Sequence, residues 1–144
     1  MGKSALLNVI LKSFKNQNTS ALLAKMAMSG VAASIVRGQT LHSWATLPVQ
    51  PPSMDNWLTH PSKWIGKRRQ DNIGNVLWLT IDEKSMLTTL NLHLLLKTMV
   101  IVCSGLETIK SSLPFGGVNT ILLGDHQFLP IRAKHNALYI PCLS

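Results

Sequence analysis

The chain has 144 residues, 46% apolar and 14% charged, which is the composition of one globular domain rather than of a disordered or fibrous chain. Fourteen Lys and Arg against six Asp and Glu leave a formal charge of +8, an excess that favours a polyanionic partner such as nucleic acid or nucleotide phosphate. Cys103 and Cys142 are too few for a disulfide framework and lack the spaced partners of a zinc site.

In chain order, Leu6, Leu7, Val9, Ile10 and Phe14 recur at a helical period, so a helix is expected over 4–14, with Ser4 near its start. Residues 20–28 are short and apolar and are expected as a buried strand, although they lack β-branched residues. The stretch 47–75 carries Pro48, Pro51, Pro52 and Pro61 and the basic cluster Lys63, Lys67, Arg68 and Arg69. It reads as an irregular insertion, a loop or small subdomain, between core elements. Val76–Ile81 is an apolar run without alternation, as in strands buried on both faces of a parallel sheet, and it stops at Asp82-Glu83.

A helix is expected from Ser85 to Leu96. The most apolar stretch, Leu90–Val102, is broken by His93 and Lys97, and no span reaches the ~18 apolar residues that a membrane helix needs. Pro114-Phe115-Gly116-Gly117 punctuates, and Val118–Leu123 is a second buried strand ending at Gly124-Asp125. Residues 132–144 read as a tail. Two buried strands that each end on an acid, with helices between them, predict an α/β fold whose mainly parallel sheet carries its chemistry at the carboxyl ends of the strands.

Three short motifs fit that placement. Gly2-Lys3-Ser4 matches the last three positions of G-x-x-x-x-G-K-[ST], where the lysine reaches nucleotide phosphates and the hydroxyl ligates Mg²⁺; such a tripeptide also occurs by chance. Asp82-Glu83 has the pattern in which an Asp holds Mg²⁺ and a Glu polarises the attacking water, the plainer alternative being two solvated acids at a strand end. Gly124-Asp125-His126-Gln127 offers an amide to a γ-phosphate, or is an ordinary turn. Taken in order, a phosphate-binding lysine, an acid pair and a polar sensor compose one nucleoside-triphosphatase site.

Longer segments carry a specific resemblance. Met28-Ser29-Gly30-Val31-Ala32-Ala33 with Gly38-Gln39-Thr40-Leu41-His42-Ser43, then Ile81-Asp82-Glu83-Lys84-Ser85-Met86-Leu87, then Leu113–Val118 running on to Gly124–Pro130, resemble ordered motifs of the PIF1-like DNA helicases. With Gly2-Lys3-Ser4 they span residues 2–131, and they are most similar to the helicases of Helitron-type rolling-circle transposons. The resemblance implies a RecA-like P-loop domain over residues 1–131, the first of two motor domains and truncated at its N-terminus.

It further implies ATP and Mg²⁺ as ligands, single-stranded DNA as partner, no membrane, 5′-to-3′ translocation, and roles in DNA repair, recombination and telomere maintenance. Carried over by position, Gly2, Lys3 and Ser4 would bind the nucleotide, and Ser4 with Asp82 would hold the metal. Glu83 would be the catalytic base and Gln127 the γ-phosphate sensor, while Thr40, His42 and Ser43 would contact the single strand. Trp44, Trp57, Trp64 and Trp78 are read as core or loop packing, and Lys63–Arg69 as either a phosphate contact or a solvated basic face.

Three departures from the family pattern stand out. Set against the family motifs, the sequence is expected to start within the phosphate loop and to lack the second motor domain, and only His126 separates Asp125 from Gln127 where the family has two residues. The alternative expectation is therefore an inactive remnant that binds DNA or a protein partner without ATP turnover. Nuclear localisation is expected. The acid-free stretch before Asp55, with Lys3, Lys12, Lys15, Lys25 and Arg37, makes mitochondrial import the alternative.

Overall fold

The computed structural model describes residues 2–47, 66–105 and 113–125. Four strands, β1 (Leu23–Ala27), β2 (Gln39–Thr40), β3 (Trp78–Asp82) and β4 (Asn119–Leu122), form one sheet in the order β2-β1-β3-β4. All three pairings are parallel, with Ala27 opposite Asp82, Ile81 opposite Leu122 and Ala27 opposite Thr40. The carboxyl ends of β1, β3 and β4 therefore lie side by side along one edge, where open α/β sheets place their ligands.

Five helices accompany the sheet among the described residues: α1 (Gly2–Asn16), α2 (Gly30–Ile35), α3 (Leu41–Ala45), α4 (Lys67–Gly74) and α5 (Thr89–Gly105). Alternation along β3 sorts the two faces. Leu79 and Ile81 enter the main core with Trp44 of α3, Ile73 of α4, and Leu94, Leu95 and Met99 of α5. Trp78 and Asp82, on the opposite face, meet α1: Phe14 packs edge-on against Trp78 with ring centroids 5.9 Å apart, and Lys3 pairs with Asp82. Leu7 fastens α1 against Val36 and Leu123. Each fully buried aliphatic side chain contributes about 1.5–3 kcal/mol of transfer free energy.

Several expectations hold with shifted boundaries. The helix over 4–14 extends to Gly2–Asn16, and the strands fall within or beside the two apolar runs and the 20–28 segment. The helix expected from Ser85 begins only at Thr89, because Lys84–Met86 forms a separate 3-10 turn and Thr88 Oγ1 accepts from Asn91 N at 3.1 Å, starting the helix there. Trp44 is buried and Trp78 half-buried, as expected of packing residues.

The irregular insertion needs correction in its described part, since 67–74 is helical and packs through Ile73 and Arg69. Arg69 is 4% exposed. Its Nε donates to Thr46 Oγ1 and its Nη2 to the Thr46 carbonyl. Burial pulls the guanidinium below its usual pKa. Arg69 is thus a structural clasp on the left-handed end of α3 rather than part of a solvated basic face, whereas Lys67 and Arg68 are exposed. Lys63, Trp57, Trp64 and the tail at 132–144 lie outside the described residues.

Gly38 and Gly116 are among the glycines that close approach dictates. A Cβ on Gly38 would overlap the backbone carbonyl of Lys25, and one on Gly116, at φ +62°, would sit 2.5 Å from Cys103 Sγ. The arrangement also ranks the apolar positions. Leu79→Ala, which empties a fully buried site on β3, is expected to lower unfolding free energy by about 2–5 kcal/mol. Val31→Ala, at a position 75% exposed, should stay within about 0.5 kcal/mol in the same denaturant titration.

Candidate active site

The parallel register sets the site. At the end of β3 the backbone turns sharply: Glu83 adopts φ 58° and ψ 49°, a left-handed conformation unusual for a side chain of its kind. Asp82 Oδ1 accepts the Glu83 N–H at 2.8 Å, and the Lys84 N–H reaches the Leu123 carbonyl beyond β4 at 2.9 Å. The acid pair is therefore pinned from its own strand and from the neighbouring one.

The N-terminus of α1 comes to the same edge. Lys3 Nζ lies 3.2 Å from Asp82 Oδ1, the lysine side chain 36% and the carboxylate 13% exposed. A helix N-terminus concentrates unpaired N–H groups and positive potential, so a lysine there faces the carboxylate in a setting suited to anions. Ser4 and Asp82 line one cavity of about 370 Å³, together with Asn8, Lys25 and Arg37. Gly2 is exposed at the start of the helix.

From β1 comes Ser29, a residue to which sequence reasoning attached no role. Its hydroxyl donates to Glu83 Oε2 at 3.3 Å and accepts from Ala32 N at 3.2 Å, capping α2. A serine ahead of Gly-Val-Ala-Ala signals a cap. Its pairing with a carboxylate 54 positions later has no local signal.

The structure thus brings Lys3, Ser4, Asp82 and Glu83 together and sets Thr40, His42 and Ser43 apart from them, at β2 and the start of α3. Thr40 Oγ1 accepts from Ser43 N at 3.3 Å, His42 is half-buried and Ser43 exposed. Gln127 lies outside the described residues. Among those residues no group of three or more His, Cys, Asp or Glu assembles for a metal, and no helix is long and apolar enough to cross a membrane. A hydroxyl and a carboxylate nonetheless fit Mg²⁺, which takes few protein oxygens when substrate phosphates supply the rest.

A parallel sheet with a lysine-bearing helix N-terminus set against an acid pair defines a RecA-like α/β domain of the P-loop class. The PIF1-like helicase family model matches residues 1–142, and the chain belongs to that family. It is 32% identical over 139 residues to the ATP-dependent DNA helicase PIF1 of Candida albicans, covering 94% of this chain and 14% of that protein.

The crystal structure of PIF1 helicase from Candida albicans superposes with a TM-score of 0.74 at 27% identity, over 94% of this chain and 29% of that one. PIF1 helicase from Bacteroides in complex with ADP-AlF3 and single-stranded DNA superposes with a TM-score of 0.73 at 26% identity, over 92% and 28%. The chain therefore spans well under a third of the length of these relatives.

The ion pair at the centre of the site is measurable by itself. A double-mutant cycle of Lys3→Ala and Asp82→Ala in chemical denaturation is expected to give a coupling of about 0.5–1 kcal/mol at low salt, falling as ionic strength rises. Additive single effects would contradict the pairing.

Proposed function

We propose that this chain represents the ATP-binding part of the first motor domain of a DNA helicase, which couples ATP hydrolysis to movement along single-stranded DNA. The observation that carries the reading is Lys3 Nζ at 3.2 Å from Asp82 Oδ1, with Glu83 next in the chain and Ser4 on the same cavity. Lys3 exchanges Asp82 for the β- and γ-phosphates when nucleotide enters, and the amides that open α1 from Gly2 onward face the phosphates. The freed Asp82 carboxylate and the Ser4 hydroxyl would hold Mg²⁺, which would supply neutralisation of phosphate charge there.

Glu83 takes a proton from the attacking water as the water oxygen bonds to the γ-phosphorus and the bond to ADP breaks, giving ADP and inorganic phosphate. Gln127 contacts the γ-phosphate. Thr40, His42 and Ser43 track the single strand, and the +8 charge assists its approach. The second motor domain supplies the opposing wall of the cleft and an arginine worth roughly 10³–10⁵ in rate in related phosphoryl transfers.

On the family likeness alone we further propose movement 5′ to 3′, work in repair, recombination or telomere maintenance, kinship with Helitron-type elements and a nuclear location, the mitochondrial alternative resting on the acid-free basic stretch before Asp55. What supports the reading for nucleotide and DNA is that a relative with this fold is described in complex with ADP-AlF3 and single-stranded DNA.

Binding separates this reading from a non-hydrolysing remnant. Lys3→Ala should weaken Mg²⁺–ATP binding by about 10- to 100-fold, the worth of one charged hydrogen bond, whereas Glu83→Gln should leave it unchanged. Equal weak binding by wild type and the Lys3 variant would favour the remnant. Affinity for single-stranded DNA should fall linearly with salt on logarithmic axes and ignore sequence, and a salt-independent affinity would count against a backbone-tracking groove.

A further inference from the structure

Ser29 joins the hydrolysis site to the segment assigned to the single strand. Three contacts fix Glu83. Its own N–H and that of Lys84 hold the backbone, at 2.8 and 2.9 Å, while the Ser29 hydroxyl engages the carboxylate itself. The left-handed backbone is disfavoured for an L-residue, so the turn persists because its surroundings over-determine it.

The same Ser29 oxygen caps α2, so the helix start and the Glu83 carboxylate cannot shift independently without losing a hydrogen bond. From α2 the connection onward is tight. Gly38 N donates to the Ala33 carbonyl at 2.9 Å, and Gly38 packs so closely on Lys25 that no side chain fits. Two residues later Thr40 caps α3, which carries His42 and Ser43.

We propose that Ser29 is the positioning residue for Glu83 and the link through which single-stranded DNA on Thr40, His42 and Ser43 acts on hydrolysis. This rests on the reading of Asp82 and Glu83 given above. The hydroxyl has one proton, and it goes to Oε2. With that oxygen anchored, Oε1 is left to face the attacking water. Strand engagement at α3 moves α2 through Gly38, and α2 carries Ser29 and the carboxylate with it.

A stability cap and a positioning donor make different demands at position 29. Asp caps a helix as well as Ser does and Gly is nearly as well tolerated there, but neither donates to a carboxylate; Thr does both. The experiment measures affinity for Mg²⁺–ADP and for Mg²⁺–ADP–aluminium fluoride, which mimics the transition state, with and without oligothymidine. The variants are Ser29→Asp, Ser29→Gly and Ser29→Thr.

The wild type should prefer the analogue, and oligothymidine should raise that preference by about 5-fold or more, within the usual range of coupling between sites. The Asp and Gly variants should lose the DNA-dependent rise and about 10-fold of the preference, with Mg²⁺–ADP affinity and fold intact, and Thr should restore both. A wild-type response in Ser29→Asp reduces Ser29 to a helix cap and overturns its role alone. Failure of the wild type to bind Mg²⁺–ADP overturns the reading of the site, and this inference with it.

Discussion

The carboxylate of Asp82 ties together the elements that build the candidate site. One of its oxygens meets Lys3 Nζ at 3.2 Å and the Glu83 N–H at 2.8 Å, so a single acid ties the N-terminus of α1 to the end of β3 and shapes the turn that follows. At 13% exposure the carboxylate has lost most of its water, and the cation and the amide replace it. The parallel register then determines who else is near, because Ala27 lies opposite Asp82 and the chain leaves β1 directly into Ser29 and α2.

The remainder of the molecule keeps that edge rigid. Leu79 and Ile81, alternating with the site-facing positions of β3, are held by the long apolar helix α5. On the far side of the core, Arg69 clasps the carbonyl and hydroxyl of Thr46 and so secures the C-terminal end of α3, the helix that carries His42 and Ser43. One nitrogen of that guanidinium, Nη1, is buried with no partner among the described residues, a desolvation cost consistent with the lowered pKa. The edge that carries Asp82 and the helix that carries His42 and Ser43 are thus built on the same core.

Much of this was legible in the amino-acid sequence where the signal is local. The helical period from Leu6 to Phe14, the unalternating run before Asp82 and the second run before Gly124 each correspond to an observed element. What stayed illegible depends on tertiary contact. Helix α4 has one buried apolar residue, Ile73, in a polar octapeptide beside a proline-rich stretch, and its second anchor is a buried arginine. Such a helix has no readable stripe. The sequence pattern starts α5 at Ser85, but the tie from Lys84 to Leu123 commits Ser85 to a separate turn and the helix begins at Thr89. In the site, Lys3, Asp82 and Glu83 announce themselves by motif, whereas Ser29 acts on a group brought near only by strand pairing.

In the proposed function, Lys3 and Asp82 are partners that separate for a nucleotide. The most direct measurement is a structure of the chain with Mg²⁺, ADP and aluminium fluoride. The expected result is Lys3 Nζ on the phosphate mimic, Asp82 turned to the metal beside Ser4, and the Glu83 carboxylate facing the attacking water. Nucleotide bound elsewhere, or bound here with the Lys3–Asp82 pair still closed, would contradict it.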